Sequence, residues 1–268
     1  MATQAQRLTV APHWRRIDFI SDLHLHGADS ATFTAWQHYM ESGSADAVFI
    51  LGDLFEVWVG DDAALEAGLA GSPPAFEATV ADVLARAARR GPLYFMAGNR
   101  DFLIGKRLLD HCGEGLLSDP CVLEFPAERW LLSHGDALCL EDTEYLQFRA
   151  MVRSAGWQKT FLAQPLAERR ASARDMRQRS ESRKTSSARW FDVDTGTARQ
   201  WLHDNDATTL LHGHTHRPAQ HDLGNGLQRI VLSDWDLSAA PGRAEVLRLT
   251  VDDSDRAVRA QRIAPERA

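Results

Sequence analysis

Seven side chains in five short motifs have the types and spacing of metal ligands. They are Asp22 and His24 in Asp22-Leu23-His24, Asp53 in Gly52-Asp53, Asn99 in Gly98-Asn99, His134 in His134-Gly135-Asp136, and His214 and His216 in Gly213-His214-Thr215-His216. Carboxylate, amide and imidazole donors together suit hard or borderline divalent cations. Two such ions about 3.5–4 Å apart need a shared carboxylate, oxygen and imidazole donors around them and a water between them. Asp22 and His24, two residues apart, can face one ion where a strand opens into a loop, and Asp53 can bridge. Asn99, His134 and His214 suit the second ion, and His216 returns to the first. Each motif alone is weak, since an isolated Asp-x-His is commonly a surface or satisfied pair; the inference rests on their clustering.

That clustering follows from what precedes each motif. Ile17–Ser21, Ala47–Ile50, Leu93–Ala97, Trp130–Ser133 and Thr209–Leu211 are short apolar runs, and each leads into a tip of Asp, Asn or His. Such runs read as buried strands that deliver side chains at their C-terminal edges, where open α/β sheets bind ligands. The repetition predicts that all five tips converge on one point.

The elements between them read as covers. Phe33, Trp36 and Met40 stand at helical spacing behind a capping Ser30, and Ser72-Pro73-Pro74 opens a helix with Phe76, Val80, Val83, Leu84 and Ala87 on one face. Further short helices are expected over 102–111 and 195–204, and Leu123–Pro126 with Arg129–Leu132 read as antiparallel strands turned at Ala127-Glu128. The runs 227–232 and 244–251 close the sheet, expected antiparallel from the turns Gly224-Asn225-Gly226 and Pro241-Gly242. From about 142 to 190 no strand pattern appears. Helical periods there carry Trp157, Phe161 and Leu166 among an excess of arginines, which predicts a basic helical lid inserted into a single domain spanning 1–268.

Composition bounds the rest. The chain has 268 residues, a formal net charge of -7 and three irregularly spaced cysteines, Cys112, Cys121 and Cys139, which read as reduced thiols of a cytosolic protein. Mild acidity argues against a nucleic-acid partner, and no obligate protein partner is indicated. Met1–Arg16 holds no apolar core for a secretory signal, and no run approaches the roughly 18 apolar residues of a membrane span. A soluble or peripheral protein is expected.

In these motifs the sequence resembles the calcineurin-like metallophosphoesterases, whose pattern of Asp-x-His, Gly-Asp, Gly-Asn, Gly-His and Gly-His-x-His it meets from Asp22 to His216, with Ser133 in place of the fourth motif's Gly. The resemblance implies an α/β fold, an αββα sandwich of two mixed sheets, and phosphoester or phosphoanhydride hydrolysis. Where most of that superfamily has His after the Asn, this chain has Arg100, and with Leu51–Asp62 and Ser133–Cys139 it is similar to the UDP-2,3-diacylglucosamine hydrolase family of lipid A biosynthesis. That likeness implies two Mn²⁺ ions and attack of a metal-bridging hydroxide on the α-phosphorus of UDP-2,3-diacylglucosamine. The products would be UMP and 2,3-diacylglucosamine 1-phosphate, released by a peripheral protein at the cytoplasmic face of the inner membrane, met through the basic lid. By the family's pattern Asn99, Arg100, Asp142, Ser180 and His214 contact substrate; Lys184 and Ser187 fall near its lid Asn and Lys.

Residue chemistry adds roles. Arg100 is a planar, permanently charged fork for phosphate oxygens and cannot act as a general acid, which favours a phosphate leaving group over an alkoxide; a salt bridge to Asp101 or Glu56 is the plainer alternative. Asp136 is expected to orient His134. Trp58 reads either as the floor of a ligand pocket or as a buried aromatic under its loop, and His212 as a support of the site or a core residue. Two other functions use the same residues: a hydrolase of a soluble nucleotide or nucleoside diphosphate-sugar, and a non-catalytic scaffold, which would be expected to lack a ligand.

Overall fold

The computed structural model describes residues 5–66, 74–126, 128–186, 191–252, 254 and 257–268, and for 177–186 the backbone course alone. In chain order the elements begin with strands β1 (Gln6–Thr9) and β2 (Arg16–Ile20), helix α1 (Ser30–Ser42), strand β3 (Ala47–Leu51) and helices α2 (Asp62–Leu65) and α3 (Phe76–Ala88). Strand β4 (Leu93–Met96), helix α4 (Lys106–Cys112) and strands β5 (Glu114–Leu117), β6 (Cys121–Phe125) and β7 (Glu128–Ser133) follow. Then come helices α5 (Thr143–Val152), α6 (Ala155–Leu162), α7 (Leu166–Ser186) and α8 (Thr195–Asp204). Strands β8 (Thr209–His212), β9 (Ala219–Gly224), β10 (Leu227–Val231), β11 (Val246–Val251) and β12 (Val258–Ile263) complete the chain.

The strands form two six-stranded mixed sheets, ordered β12-β11-β2-β3-β4-β5 and β1-β6-β7-β8-β10-β9. The apolar alternation of the strands explains the layering. Ile17, Phe19, Phe49, Leu51 and Met96 of the first sheet meet Cys121, Leu123, Phe125, Leu132, Leu211 and Ile230 of the second in one buried core. On the outer face of the first sheet, Ile20, Ile50 and Phe95 pack with Trp36, Val80, Leu84 and Leu108 of α1, α3 and α4. On the outer face of the second, Val122, Leu131 and Leu210 pack with Ala198 and Leu202 of α8. Both sheets are therefore covered on both faces, which is why their central strands read as continuous apolar runs, and the αββα sandwich is the observed architecture.

Local details differ from expectation. Asp29, not Ser30, caps α1, its side chain accepting from the Thr32 N–H at 3.1 Å. Strand β10 is antiparallel to β9, as the Gly224-Asn225-Gly226 turn requires, but parallel to β8. Ser72, Pro73, Ala127 and Ser187 lie outside the described residues. Helices α5 to α7 fill the stretch read as a lid, and Phe161, Trp157, Leu166 and Met176 pack on the core that α1, α3 and α4 share.

Candidate metal centre

The five tips come from both sheets, those after β2, β3 and β4 from one and those after β7 and β8 from the other, and they meet at one edge of the sandwich. Their backbone is unusual there. Among the described residues seven non-glycine residues have left-handed φ, and five are Asp22 (53°), His24 (49°), Asp53 (54°), His214 (66°) and His216 (53°). Such conformations cost about 1–2 kcal/mol each and persist where the surroundings over-determine them. Here the tips hold one another: Asp22 N–H donates to Gly52 O (3.1 Å), His24 N–H to Asp53 O (3.0 Å) and Gly213 N–H to His134 O (3.0 Å). The His214 N–H donates to the Asp22 carboxylate (2.9 Å) and the Arg100 N–H to Asp53 Oδ1 (2.8 Å). Gly98 and Gly213 allow this approach, since a Cβ on Gly98 would collide with the Asp53 carboxylate and one on Gly213 with that of Asp22.

All seven predicted donors are brought together. His216 Nε2 lies 3.3 Å from Asp22 Oδ1 and 3.2 Å from His24 Nε2. Asn99 Oδ1 lies 2.9 Å from His134 Nε2 and 2.8 Å from His214 Nδ1. Between these groups the two oxygens of Asp53 point opposite ways, Oδ2 4.0 Å from His24 Nε2 and Oδ1 3.7 Å from His134 Nε2. Two sets of donors, Asp22-His24-His216 and Asp22-Asp53-His134, lie close enough to hold an ion each.

The donors fit cations on chemical grounds. His134 Nδ1 faces the Leu51 carbonyl at 2.9 Å and can only donate there, so in the neutral ring Nε2 offers a lone pair to Asn99 Oδ1, another acceptor. Acceptors so close are what a shared cation satisfies. The charges say the same. Burial alone would raise the Asp22 carboxyl, yet hydrogen bonding to His216 and the charges of His216, His134 and His24 hold it well below the usual carboxylate range. Burial opposes protonation of His134, but Asp53, Asp22 and Asp136 push it up to about 9. Burial and then the His134 charge push His214 down to about 3. The site concentrates negative charge around its imidazoles, which bound cations would offset.

Several braces were not legible in the sequence. Glu56 Oε2 lies 3.1 Å from His24 Nδ1, and Asp234 Oδ2 lies 3.7 Å from His216 Nδ1 while pairing with Arg243 at 2.8 Å. Asp136 was expected to orient His134, but the Leu51 carbonyl does that. Buried Asp136 instead accepts from the Tyr145 hydroxyl in a very short bond and from Arg149 Nε at 2.8 Å, with Arg153 at 3.6 Å. The Tyr145 ring stacks on that of His214, centroids 6.0 Å apart, and Arg153 donates to Gly98 O at 2.9 Å. The only signal in the sequence was the four-residue spacing of Tyr145, Arg149 and Arg153, which places them on one face of α5.

Of the expected substrate contacts, Arg100 stands beside the donors with its Nη1 3.6 Å from Glu56 Oε1, and its buried Nε has no hydrogen-bond partner among the described residues. Asp101 is not its partner, accepting instead from the N–H groups of Gly98 and Leu54 at 2.8 Å each. Trp58 is 3% exposed, packs on Phe55 at 4.5 Å and donates to Asp61, so the structure favours the buried aromatic over the pocket floor. Asp142 caps α5 through the Tyr145 N–H at 3.1 Å. His212 is a buried core residue bonded to Gly213 O at 2.8 Å. Ser180 and Lys184 lie on the course of α7, and their side chains are outside the described residues.

Residues 15–218 match the family model of the calcineurin-like phosphoesterases. A UDP-2,3-diacylglucosamine hydrolase from Chromobacterium violaceum is 45% identical over 82% of this chain and 90% of its own. One from Chromohalobacter salexigens is 39% identical over 87% and 92%. Among solved structures, Vps29 of Entamoeba histolytica complexed with Zn²⁺ is 13% identical over 93% of this chain and 99% of its own, with a TM-score of 0.46.

Proposed function

We infer the reaction from one premise: this chain belongs to the calcineurin-like phosphoesterases and, among them, to the UDP-2,3-diacylglucosamine hydrolases. It hydrolyses UDP-2,3-diacylglucosamine, cleaving the pyrophosphate at the α-phosphorus to give UMP and 2,3-diacylglucosamine 1-phosphate for lipid A. The observation that carries this reading is the meeting of seven hard and imidazole donors, five on left-handed backbone, beside an arginine with an unmet donor. Asp22, His24 and His216 would hold one ion and Asn99, His134 and His214 the second, with Asp53 between them; the donor mixture suits hard or borderline divalent ions, and the likeness to the family points to Mn²⁺. Bound there, two divalent ions supply an acidified water as nucleophile and Lewis acidity toward the phosphoryl oxygens.

The chain's own groups do the rest. Glu56 and the Leu51 carbonyl orient the rings of His24 and His134. Arg100 grips the diphosphate and offsets charge on the leaving phosphate, which needs no proton. Asn99 and His214, at the same edge, complete the contacts to the phosphates, and by the family's pattern Asp142, Ser180 and Lys184 are the candidate contacts to the sugar phosphate. Lys159, Arg174, Met151 and Leu162 are exposed on the lid helices and support peripheral contact with the cytoplasmic face of the inner membrane. Among the described residues no helix is long and apolar enough to cross a membrane. The test is turnover of UDP-2,3-diacylglucosamine with Mn²⁺ in ¹⁸O-labelled water: UMP carrying the label is expected, and absence of UMP release defeats the assignment.

A further inference from the structure

We propose that Glu56 is a positioning residue with two loads: one carboxylate oxygen fixes His24, and the other competes with bound phosphate for Arg100, so that monophosphate products are held more weakly than the diphosphate substrate. The inference rests on Arg100 as the phosphate grip of the reaction above. Glu56 is 9% exposed and follows Phe55 directly behind the Asp53 tip. Its Oε2 meets His24 Nδ1 at 3.1 Å, which turns His24 Nε2 toward Asp53 and His216. Its Oε1 stands 3.6 Å from Arg100 Nη1, within Coulombic reach but longer than a hydrogen bond.

The backbone that carries both side chains is fixed. The Glu56 N–H donates to Leu25 O (3.2 Å), the Arg100 N–H to Asp53 Oδ1 (2.8 Å), and the Trp58 N–H to Arg100 O (3.0 Å). Arg100 therefore presents a guanidinium loosely paired at one nitrogen and, among the described residues, unpartnered at buried Nε. Such a fork gains more from a bidentate phosphate than from this carboxylate. The carboxylate stays nearby when phosphate arrives, and its repulsion grows with the charge of the anion. Each phosphate of a diphosphate diester carries one negative charge, whereas a free monophosphate carries about 1.5 to 2 at neutral pH. The same carboxylate thus penalises product more than substrate.

Glu56→Gln separates the two loads, because the side chain keeps its shape and its contact with His24 Nδ1 while the charge is gone. Calorimetric binding of UMP, and of glucosamine 1-phosphate as a soluble stand-in for the lipid product, is compared in wild type, Glu56→Gln, Arg100→Ala and the double variant. The titrations are run with saturating Mn²⁺ and again in chelator, so that any change in metal loading is separated from the anion effect. At least one monophosphate is expected to bind about fivefold or more tighter to Glu56→Gln than to wild type, and the gain is expected to vanish in the Arg100→Ala background. Unchanged or weaker binding of both monophosphates by Glu56→Gln in chelator, or a gain that survives loss of Arg100, overturns the proposal. UMP release by the wild type tests the reaction separately.

Discussion

Arg100 shows what single side chains settle in this site. Its backbone N–H is committed to Asp53 and its carbonyl to Trp58, while its guanidinium is under-satisfied. Arg100→Ala is therefore expected to keep its metal content by elemental analysis while turnover falls about 10²–10³-fold, the size of losing one preorganised electrostatic group. A variant that loses metal in parallel would make Arg100 a structural prop. The seven donors were legible because their types and spacings are local, each tip carrying its ligands within four residues of a strand end. Their braces were not. Glu56 and His24 are 32 positions apart and Asp234 and His216 are 18, and such pairings are decided by how loops lie side by side. Asp136 misled for the same reason: two residues from His134, it points away to Tyr145 and Arg149, and the orienting acceptor is a carbonyl that no side-chain pattern reveals.

The element that most changes meaning in three dimensions is α5. As sequence it belongs to a basic, aromatic-bearing insertion whose arginines read as a lipid-facing surface. In the fold Arg149 pairs with Asp136 and Asp119, Arg153 reaches Gly98 O, and on α7 Arg169 is buried against Asp62 and the Val59 carbonyl. These arginines tie α5 and α7 to the ligand-bearing loops, and the basic charge left exposed there lies on residues such as Lys159 and Arg174. Helical periodicity identified the helices but could not assign their charged faces, because an arginine on an amphipathic face looks the same whether its partner is water or a buried carboxylate. Removing Arg149 takes the nearest cation from fully buried Asp136, leaving the Tyr145 hydroxyl, and Arg153 at 3.6 Å. Arg149→Ala is expected to lower unfolding stability in urea by about 3 kcal/mol, as for a broken buried pair, while exposed Arg174→Ala stays within about 0.5 kcal/mol. Equal effects of the two would mean that α5 is not pinned to the site.

At the scale of the whole molecule, apolar runs indicated which segments are strands, yet nothing local separates them into two sheets. That partition is set by which faces find each other: Phe19 and Phe49 against Leu123 and Leu132 between the sheets, Ile20 and Ile50 against helices outside. One consequence is that β5 becomes the edge of the first sheet, beside β4, with Glu114 at its start. Glu114 Oε1 is buried without a hydrogen-bond partner among the described residues, and burial followed by the nearby charge of Asp101 pushes its carboxyl up to about 8. In the unfolded chain the same group titrates near about 4.3. Between these values the folded state binds more protons than the unfolded one, so the group's contribution is fully present below about 4.3 and is lost as pH rises to about 8, at no more than about 1.4 kcal/mol per pH unit. Glu114→Gln carries no such proton. Urea midpoints of the variant and the wild type should lie close together at pH 5, and the variant should become progressively the more stable by pH 8.5. A difference that does not change with pH would place the Glu114 carboxyl in water, and with it the edge of the sheet.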